Sequence, residues 1–241
     1  MKSTDSANLE IVLYTGWLVV NKPAGLAVHS TAPDQENLLD EVIHYIEQNQ
    51  SAQGTLDWQK EDKLHLINRL DKETSGLVII ATKLSISQKL YAMTKEGNIK
   101  KSYIALLHPP TNELTENELT WNWELENIAC GINNIQGGKD RKIATTICSI
   151  VEQFEDCILV DINLITGRTH QIRRHAALAK MPVIGDQRYT RIKSDFSHLA
   201  LHAYSLELID PSTEEPCIIE TDMPERFKSW LQIEANEEDL I

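Results

Sequence analysis

Residues 65–76 read HLINRLDKETSG and run directly into the apolar stretch LVIIA at residues 77–81. A short apolar run that follows a glycine predicts a buried β-strand, and a buried strand provides a rigid support. The polar residues before it predict a tight loop at the strand edge, in which Asp71 lies between Arg69 and Lys72. Asp71 is therefore either the cap of a charged surface turn or a carboxylate with a chemical function.

A second polar string, TGRTHQIRRH at residues 166–175, predicts a turn followed by a helix. The glycine favours the turn, and the helix is expected to run to about Lys180 because Pro182 follows. Three arginines, Arg168, Arg173 and Arg174, come near the predicted helix start. Such a set lies on a solvated surface or binds anions, and the string alone leaves both alternatives open.

The string NRLDKETSG at residues 68–76 resembles the active-site signature of the RluA-type pseudouridine synthases, which is His-Arg-Leu-Asp, two variable residues, and Thr-Ser-Gly. Asn68 stands where that family usually has histidine. Because both side chains can donate a hydrogen bond, Asn68 is expected to keep a structural role. The strings NKPAG, KSYIA and GRTHQIR, at residues 21–25, 101–105 and 167–173, resemble the family's other motifs and follow its order.

The resemblance implies an RNA pseudouridine synthase that isomerises a specific uridine in ribosomal or transfer RNA. It implies that Asp71 is the catalytic carboxylate, that Tyr103 lies against the target base, and that Arg173 pairs with Asp71. A neighbouring cation would favour the ionised form of a partly buried aspartate. The isomerisation adds and removes no atom, so no cofactor and no metal is expected.

RNA is the expected partner, and the residues expected to contact it come from the two polar strings. They are Arg69, Lys72, Arg168, His170, Gln171 and Arg174. Lys22, in the NKPAG string, is expected either to support the active site or contact a phosphate, or to be an ordinary exposed lysine.

The family's fold is α+β, with a mixed, mostly antiparallel sheet, flanking helices and a central active-site cleft. The expected domains are a short extension at residues 1–8, the catalytic domain at residues 9–233 and an acidic tail at residues 234–241. Because only eight residues precede the first predicted strand, the N-terminal S4-like RNA-binding domain that many relatives carry is not expected here. A monomer is the default expectation.

The net charge of −13 argues against a nucleic-acid partner until its distribution is considered. Residues 60–110 carry nine basic and five acidic side chains, and residues 139–193 carry ten and six. The rest of the chain has four basic side chains against 25 acidic ones. The excess positive charge is thus confined to the two segments with the polar strings, which favours a selective polyanion binder over a mixed-charge solvated surface.

Other sequence features exclude several classes of protein. No run approaches 18 apolar residues, which excludes a membrane span, and the N-terminus lacks the apolar core of a signal peptide. A cytoplasmic location is expected. The four cysteines form no C-x-x-C pair, Cys148 and Cys157 are expected to be buried thiols, and the eight histidines show no metal-binding pattern.

Apolar periodicity predicts helices over residues 36–48 and 84–95, the second with Leu84, Leu90 and Tyr91 as core contacts. Residues 49–61 are predicted to be a polar loop. The Gly-rich basic turn at residues 137–142 could contact phosphates but lacks the spacing of a nucleotide-binding P-loop.

Two other functions remain open from the sequence. An RNA-binding or RNA-chaperone relative without catalytic activity is one, and Asn68 is the feature that leaves room for it. A glycosidase is the other, which would need a second carboxylate close to Asp71.

Overall fold

The computed structural model describes residues 9–29, 35–59, 61–112, 114–196 and 198–231. The chain divides into two compact units, Met1–Lys100 with Ser205–Thr221, and Lys101–Tyr204 with Asp222–Ile241. The predicted extension at residues 1–8 and the predicted tail at residues 234–241 lie outside the described residues.

Along these ranges the strands are β1 (Ile11–Tyr14), β2 (Trp17–Lys22), β3 (His65–Leu66), β4 (Ser75–Ala81), β5 (Lys100–Leu107), β6 (Glu118–Glu126), β7 (Arg141–Gln153), β8 (Ile158–Leu164), β9 (Leu201–Ile209) and β10 (Pro216–Glu220). The helices are α1 (Leu38–Gln48), α2 (Gln50–Leu56), α3 (Leu84–Glu96), α4 (Gln171–Leu178) and α5 (Glu225–Leu231). None of these helices in the described ranges is long and apolar enough to cross a membrane.

The first unit is built on strand β4, which pairs antiparallel with β2 and β3. All seven residues of β4 are buried, which confirms the buried strand predicted after the Asp71 loop. Strand β1 forms a hairpin with β2, and β10 pairs antiparallel with the second half of β9. Apolar side chains from β2, β4, β9 and β10 share one core cluster, which includes Val19, Ile79, Leu206 and Ile219. The Asp71 loop therefore leads into the centre of a packed sheet.

Two predictions for the helices of the first unit were wrong. Residues 50–56 form helix α2 rather than a loop, because the Asn49 side chain caps the helix at the N–H of Ala52 and because Ala52 and Leu56 are buried. In α3, Leu90 is buried, but Leu84 and Tyr91 are 60% and 47% exposed. A helix turns by about 100° per residue, so Leu84 and Tyr91 share one face while Leu90 lies about 120° away from it.

The second unit contains four antiparallel strands in the order β5-β8-β7-β6. Tyr103 of β5 and Cys148 of β7 both pair with Ile162 of β8, and helix α4 hydrogen-bonds to β7 through Thr146. The expected burial of the Cys148 and Cys157 thiols is confirmed. Antiparallel strand pairs with flanking helices in both units confirm the α+β class.

The loop between β3 and β4 is held by the Asn68 side chain, which extends the antiparallel ladder. Beyond the last backbone bond, from Ile67 N to Ile79 O, the Asn68 Nδ2 donates to Leu77 O at 3.2 Å. Its Oδ1 accepts from the Ile79 N–H at 2.7 Å. Asn68 is buried, and its amide thus takes the place of a backbone peptide group. The structural role expected for Asn68 is confirmed.

Replacing Asn68 by alanine should lower the free energy of unfolding by about 1–3 kcal/mol, because the buried N–H of Ile79 loses its acceptor. Urea unfolding followed by circular dichroism measures this difference. Asn98→Ala, at an exposed asparagine after α3, is the matched control and should stay within about 0.5 kcal/mol of the wild type. Equal stability of the two variants would show that the Asn68 bonds do not support the loop.

The imidazole of His175 is fully buried between α4 and the strands β6 and β7. Its Nδ1 is 2.9 Å from Thr146 Oγ1, and the edges of the Trp121 and Trp123 rings contact it. Burial lowers the pKa of His175 to about 4, with a smaller contribution in the same direction from Arg174. The folded protein therefore keeps His175 neutral at pH values where the unfolded chain protonates it.

This difference makes folding stability depend on pH. Between about pH 6.5 and 4 the unfolded chain binds one more proton at His175 than the folded chain does, so the free energy of unfolding falls as the pH falls. His175→Gln should reduce that pH-dependent loss by about 3 kcal/mol. Chemical unfolding at pH 7.5, 6, 5 and 4.5 provides the measurement. Parallel curves for wild type and variant would contradict the assignment.

Candidate active site

Asp71 lies in the first unit, in a turn that ends where β4 begins. The N–H of Thr74 donates to the carbonyl of Asp71 at 3.1 Å and closes the turn. Asp71 is half-buried, whereas Arg69 and Lys72 on either side of it are exposed. The carboxylate is thus carried by a short, hydrogen-bonded turn next to two solvent-accessible cations.

Lys22 supports this turn from the interior of the protein. Its side chain is fully buried, so the alternative of an ordinary exposed lysine was wrong. The ammonium donates to the carbonyls of Pro23, Leu26 and Lys72 at 2.8, 2.9 and 3.1 Å. A buried charge is stable only when its hydrogen bonds are made, and three carbonyls match the three N–H donors of an ammonium group.

Gly25 makes a second contact to the same turn. Its N–H donates to the Lys72 carbonyl at 2.9 Å, so that carbonyl accepts from both Gly25 and Lys22. Gly25 has a φ of 86°, in the left-handed region that glycine adopts without steric cost. The NKPAG string therefore fixes the backbone of the residue that follows Asp71.

Tyr103 lies in the second unit, on β5. The side chain is 7% exposed, so the ring is almost wholly packed within the protein. Lys101, two residues earlier on the same strand, has its pKa lowered by burial. Residues two positions apart on a strand lie on the same face, so the ring of Tyr103 and the partly desolvated amine of Lys101 share one face of β5.

The turn at residues 166–170 is fastened to β7 by the side chain of Gln171. The Gln171 Oε1 accepts from Thr166 Oγ1 and from the N–H of Arg168 at 2.8 and 2.9 Å. Its Nε2 donates to Thr145 O and Thr146 Oγ1 at 3.0 and 2.9 Å. Gln171 is 3% exposed, so its amide groups serve the turn rather than the protein surface.

Arg174 is fully buried and binds backbone carbonyls. Its Nε donates to Ile135 O at 2.6 Å, and its Nη1 donates to Glu126 O at 2.7 Å and Thr169 O at 3.1 Å. Burial lowers its pKa, and the carbonyls at Nε and Nη1 replace part of the lost hydration, whereas Nη2 is buried without a hydrogen-bond partner among the described residues. This geometry makes Arg174 a structural cation, because a direct phosphate contact needs an exposed guanidinium.

Arg173 forms a two-pronged ion pair with Asp186. Its Nε and Nη2 donate to the two carboxylate oxygens at 2.8 and 2.9 Å, and both residues are more than 90% buried. The same carboxylate accepts from the backbone N–H groups of Arg188 and Tyr189 at 2.8 and 3.1 Å. Asp186 thus joins the start of α4 to the turn at residues 186–189.

Tyr189 packs against Arg173 and reaches His170. The Arg173 guanidinium carbon lies 5.3 Å from the centre of the Tyr189 ring, a cation–π arrangement. The Tyr189 hydroxyl is 2.8 Å from His170 Nδ1, and His170 has a φ of 54°. Burial raises the pKa of Tyr189 although nearby arginines act in the opposite direction, which keeps its hydroxyl protonated.

Arg168 is half-buried and lines a cleft of about 330 Å³ together with Lys142 and Asp140. Lys142, the last residue of the Gly-rich basic string at residues 137–142, lies on β7, and Gly137 of the same string packs against Glu126 of β6. A Cβ atom at Gly137 would lie 2.6 Å from the Cβ of Glu126, so only glycine fits there. The cleft therefore combines two cations from separate parts of the sequence.

The structure places the predicted residues in two sets. Asp71, Arg69, Lys72 and Lys22 belong to the first unit, and the second unit contains Tyr103, Arg168, His170, Gln171, Arg173 and Arg174. The ion pair predicted between Arg173 and Asp71 joins residues of different units and remains a prediction. In the described residues no group of three or more His, Cys, Asp or Glu side chains is arranged to hold a metal ion.

The sequence patterns did not identify Asp186 or Tyr189 as part of the site. The available signal was an aspartate directly after an apolar stretch, PVIG, with a tyrosine three residues later. A carboxylate in such surroundings requires a cation and nearby N–H donors.

The comparisons with known proteins agree with this architecture. The model of the RNA pseudouridylate synthase family matches residues 16–178. "Ribosomal large subunit pseudouridine synthase C" of Buchnera aphidicola subsp. Schizaphis graminum is 31% identical, over 89% of this chain and 67% of the relative. The protein of the same name from Escherichia coli K12 is 28% identical, over 94% of this chain and 70% of the relative.

Among solved structures, "Human RNA Pseudouridylate Synthase Domain Containing 4" superposes with a TM-score of 0.71, over 90% of this chain and 88% of that one. At 20% identity this likeness concerns the fold alone. The family match covers more than half of the chain and includes the Asp71, Tyr103 and Arg173 strings. The chain therefore belongs to the RNA pseudouridine synthase family of isomerases, in its RluA-type branch.

Proposed function

We propose that the protein isomerises a specific uridine in ribosomal or transfer RNA to pseudouridine, with Asp71 as the catalytic carboxylate. Tyr103 holds the target base, and Arg173 pairs with Asp71. The observation that supports the proposal most is the rigid mounting of the Asp71 turn by Lys22, which would hold a reacting carboxylate in a fixed position.

The reaction needs few chemical groups. The bond between C1′ of the ribose and N1 of uracil breaks, the uracil rotates, and a bond forms between C1′ and C5. The proton on C5 is lost and N1 gains one, so atoms and electrons balance without an oxidant or reductant. An ionised carboxylate can act as nucleophile or base in this sequence, and a nearby guanidinium favours the ionised form.

Binding requires the target uridine to leave its stack, which costs a few kcal/mol. An aromatic ring against the extracted base compensates part of that cost, and Tyr103 has this role in the proposal. Arg69, Lys72, Arg168 and His170 contact the RNA around the target. Gln171 and Arg174 act indirectly, since their buried side chains hold the turn that carries Arg168 and His170.

The names of the curated relatives make large-subunit ribosomal RNA the first substrate to test. Pseudouridine mapping of total RNA from a strain lacking the gene would identify the site. Complementation with wild-type protein should restore it, and complementation with Asp71→Ala should not. If every site persists in the strain, purified protein should be given unmodified ribosomal and transfer RNA transcripts, and inactivity there would favour an RNA-binding relative without catalysis.

Asp71→Asn should lower the rate of pseudouridine formation by roughly 10²–10⁴-fold or more, because the amide cannot act as nucleophile or base. Tritium release from C5-labelled uridine in the transcript measures this rate. Glu73→Gln, the same chemical change two residues away in the same turn, is the matched control and should retain activity. An Asp71→Asn variant with wild-type activity would refute the proposed role.

Tyr103→Phe should keep RNA affinity within about threefold, because the aromatic face remains, whereas Tyr103→Ala should lose about 1–3 kcal/mol of binding free energy. Fluorescence anisotropy with labelled RNA at one fixed salt concentration distinguishes them. Equal affinities for the phenylalanine and alanine variants would contradict a stacking role.

A further inference from the structure

We propose that Asp186 is a positioning residue for the isomerisation, which holds the guanidinium of Arg173 in the orientation that the reaction uses. The inference rests on the proposed function, because it assigns Asp186 a part in that reaction. It depends on three features of the second unit, namely the geometry of the ion pair, the fixation of Asp186 itself, and the packing of Tyr189.

The ion pair fixes the plane of the guanidinium. Two parallel N–H···O bonds, from Arg173 Nε and Nη2, meet the two oxygens of one carboxylate. A single bond would leave the guanidinium free to rotate about it, but a pair of bonds defines both its direction and its plane. A guanidinium has five N–H donors, so it can serve a second carboxylate at the same time.

Asp186 is itself held by the backbone. The N–H groups of Arg188 and Tyr189 both donate to one of its oxygens. The preceding residue, Gly185, has a φ of 78°, and a Cβ atom there would lie 1.9 Å from the carbonyl oxygen of His198. The turn therefore packs closely against His198 at Gly185, and two backbone N–H groups hold the Asp186 carboxylate in place.

The packing of Tyr189 also restricts the Arg173 guanidinium. The ring lies against the Arg173 guanidinium, and its hydroxyl is tied to His170 in the turn before α4. The group is thus held along one edge by the Asp186 carboxylate and is also packed against the Tyr189 ring. A buried ion pair of this kind adds little stability compared with apolar packing, which favours orientation as its main contribution.

The role predicts which kinetic constant changes. Asp186→Asn keeps one side-chain oxygen, which can accept from the backbone N–H groups. It removes the second oxygen, so the guanidinium of Arg173 loses one of its two acceptors. The variant should lower kcat by about 10- to 100-fold, the cost of a misplaced reacting group, while KM for the RNA stays within threefold. Gln187→Ala, at an exposed residue of the same turn, is the control and should retain wild-type kcat and KM.

A double-mutant cycle tests whether Asp186 acts through Arg173. Asp186→Asn is compared in the wild-type background and in the Arg173→Lys background, where a point charge replaces the two-pronged fork. If Asp186 positions the fork, the substitution should cost less than about threefold in the second background. Losses of the same size in both backgrounds would overturn the inference, as would wild-type kcat in a folded Asp186→Asn variant.

The experiment uses the full chain and the transcript in which the wild type forms pseudouridine. Circular dichroism establishes folding at the assay temperature, and if Asp186→Asn is unfolded there, Asp186→Glu takes its place in the same cycle. The glutamate keeps the charge but displaces the carboxylate by one methylene, so the same kcat loss is expected. An inactive wild type would instead refute the proposed function, which separates the two failures.

Discussion

A buried cation must be surrounded by hydrogen-bond acceptors, and the two polar loops of this protein depend on that constraint. Lys22 in the first unit and Arg174 in the second are both fully buried, and both bind backbone carbonyls. Because carbonyls belong to the main chain, each cation fixes the path of the loops around it. A neutral residue of similar size would fill the space, but each of those carbonyls would lose a hydrogen-bond donor.

The fixed residues are sequence neighbours of the proposed reacting groups. Lys22 binds the carbonyl of Lys72, which follows Asp71, and Arg174 follows Arg173. In each of these two pairs of consecutive residues, one residue anchors the backbone in the interior and the other presents a charged side chain. This arrangement explains how loops rich in charge can be well ordered, since much of the charge is used internally.

The sequence predicted the features that depend on local pattern. The buried strand after Asp71 and the α+β class follow from apolar runs, turn residues and resemblance, and the structure confirms them. Helix α2 was missed because its residues are mostly polar, and its existence depends on the Asn49 cap and on two buried side chains. Leu84 and Tyr91 were wrongly predicted to be core contacts, because apolar character alone does not show which face of a helix is buried.

The candidate site was only partly predictable for a related reason. Residue type and spacing identify Asp71, Tyr103 and Arg173 as chemically suitable groups. They do not reveal that Gln171 and Arg174 point into the interior, or that Asp186 lies 13 positions along the chain from its partner Arg173 and yet binds it. Those facts arise from the packing of α4 against β7 and from the turn at residues 186–189, which are tertiary features.

The division of the chain between its two units has a consequence for synthesis. The last segment of the first unit, Ser205–Thr221, follows most of the second unit in the sequence. Its core needs Leu206, Leu208 and Ile219 from that segment. A ribosome makes the chain from the N-terminus, so the strand that carries the Asp71 turn emerges long before its core partners. Until residue 219 has left the exit tunnel, the apolar side chains of β2 and β4 lack the core partners that β9 and β10 supply.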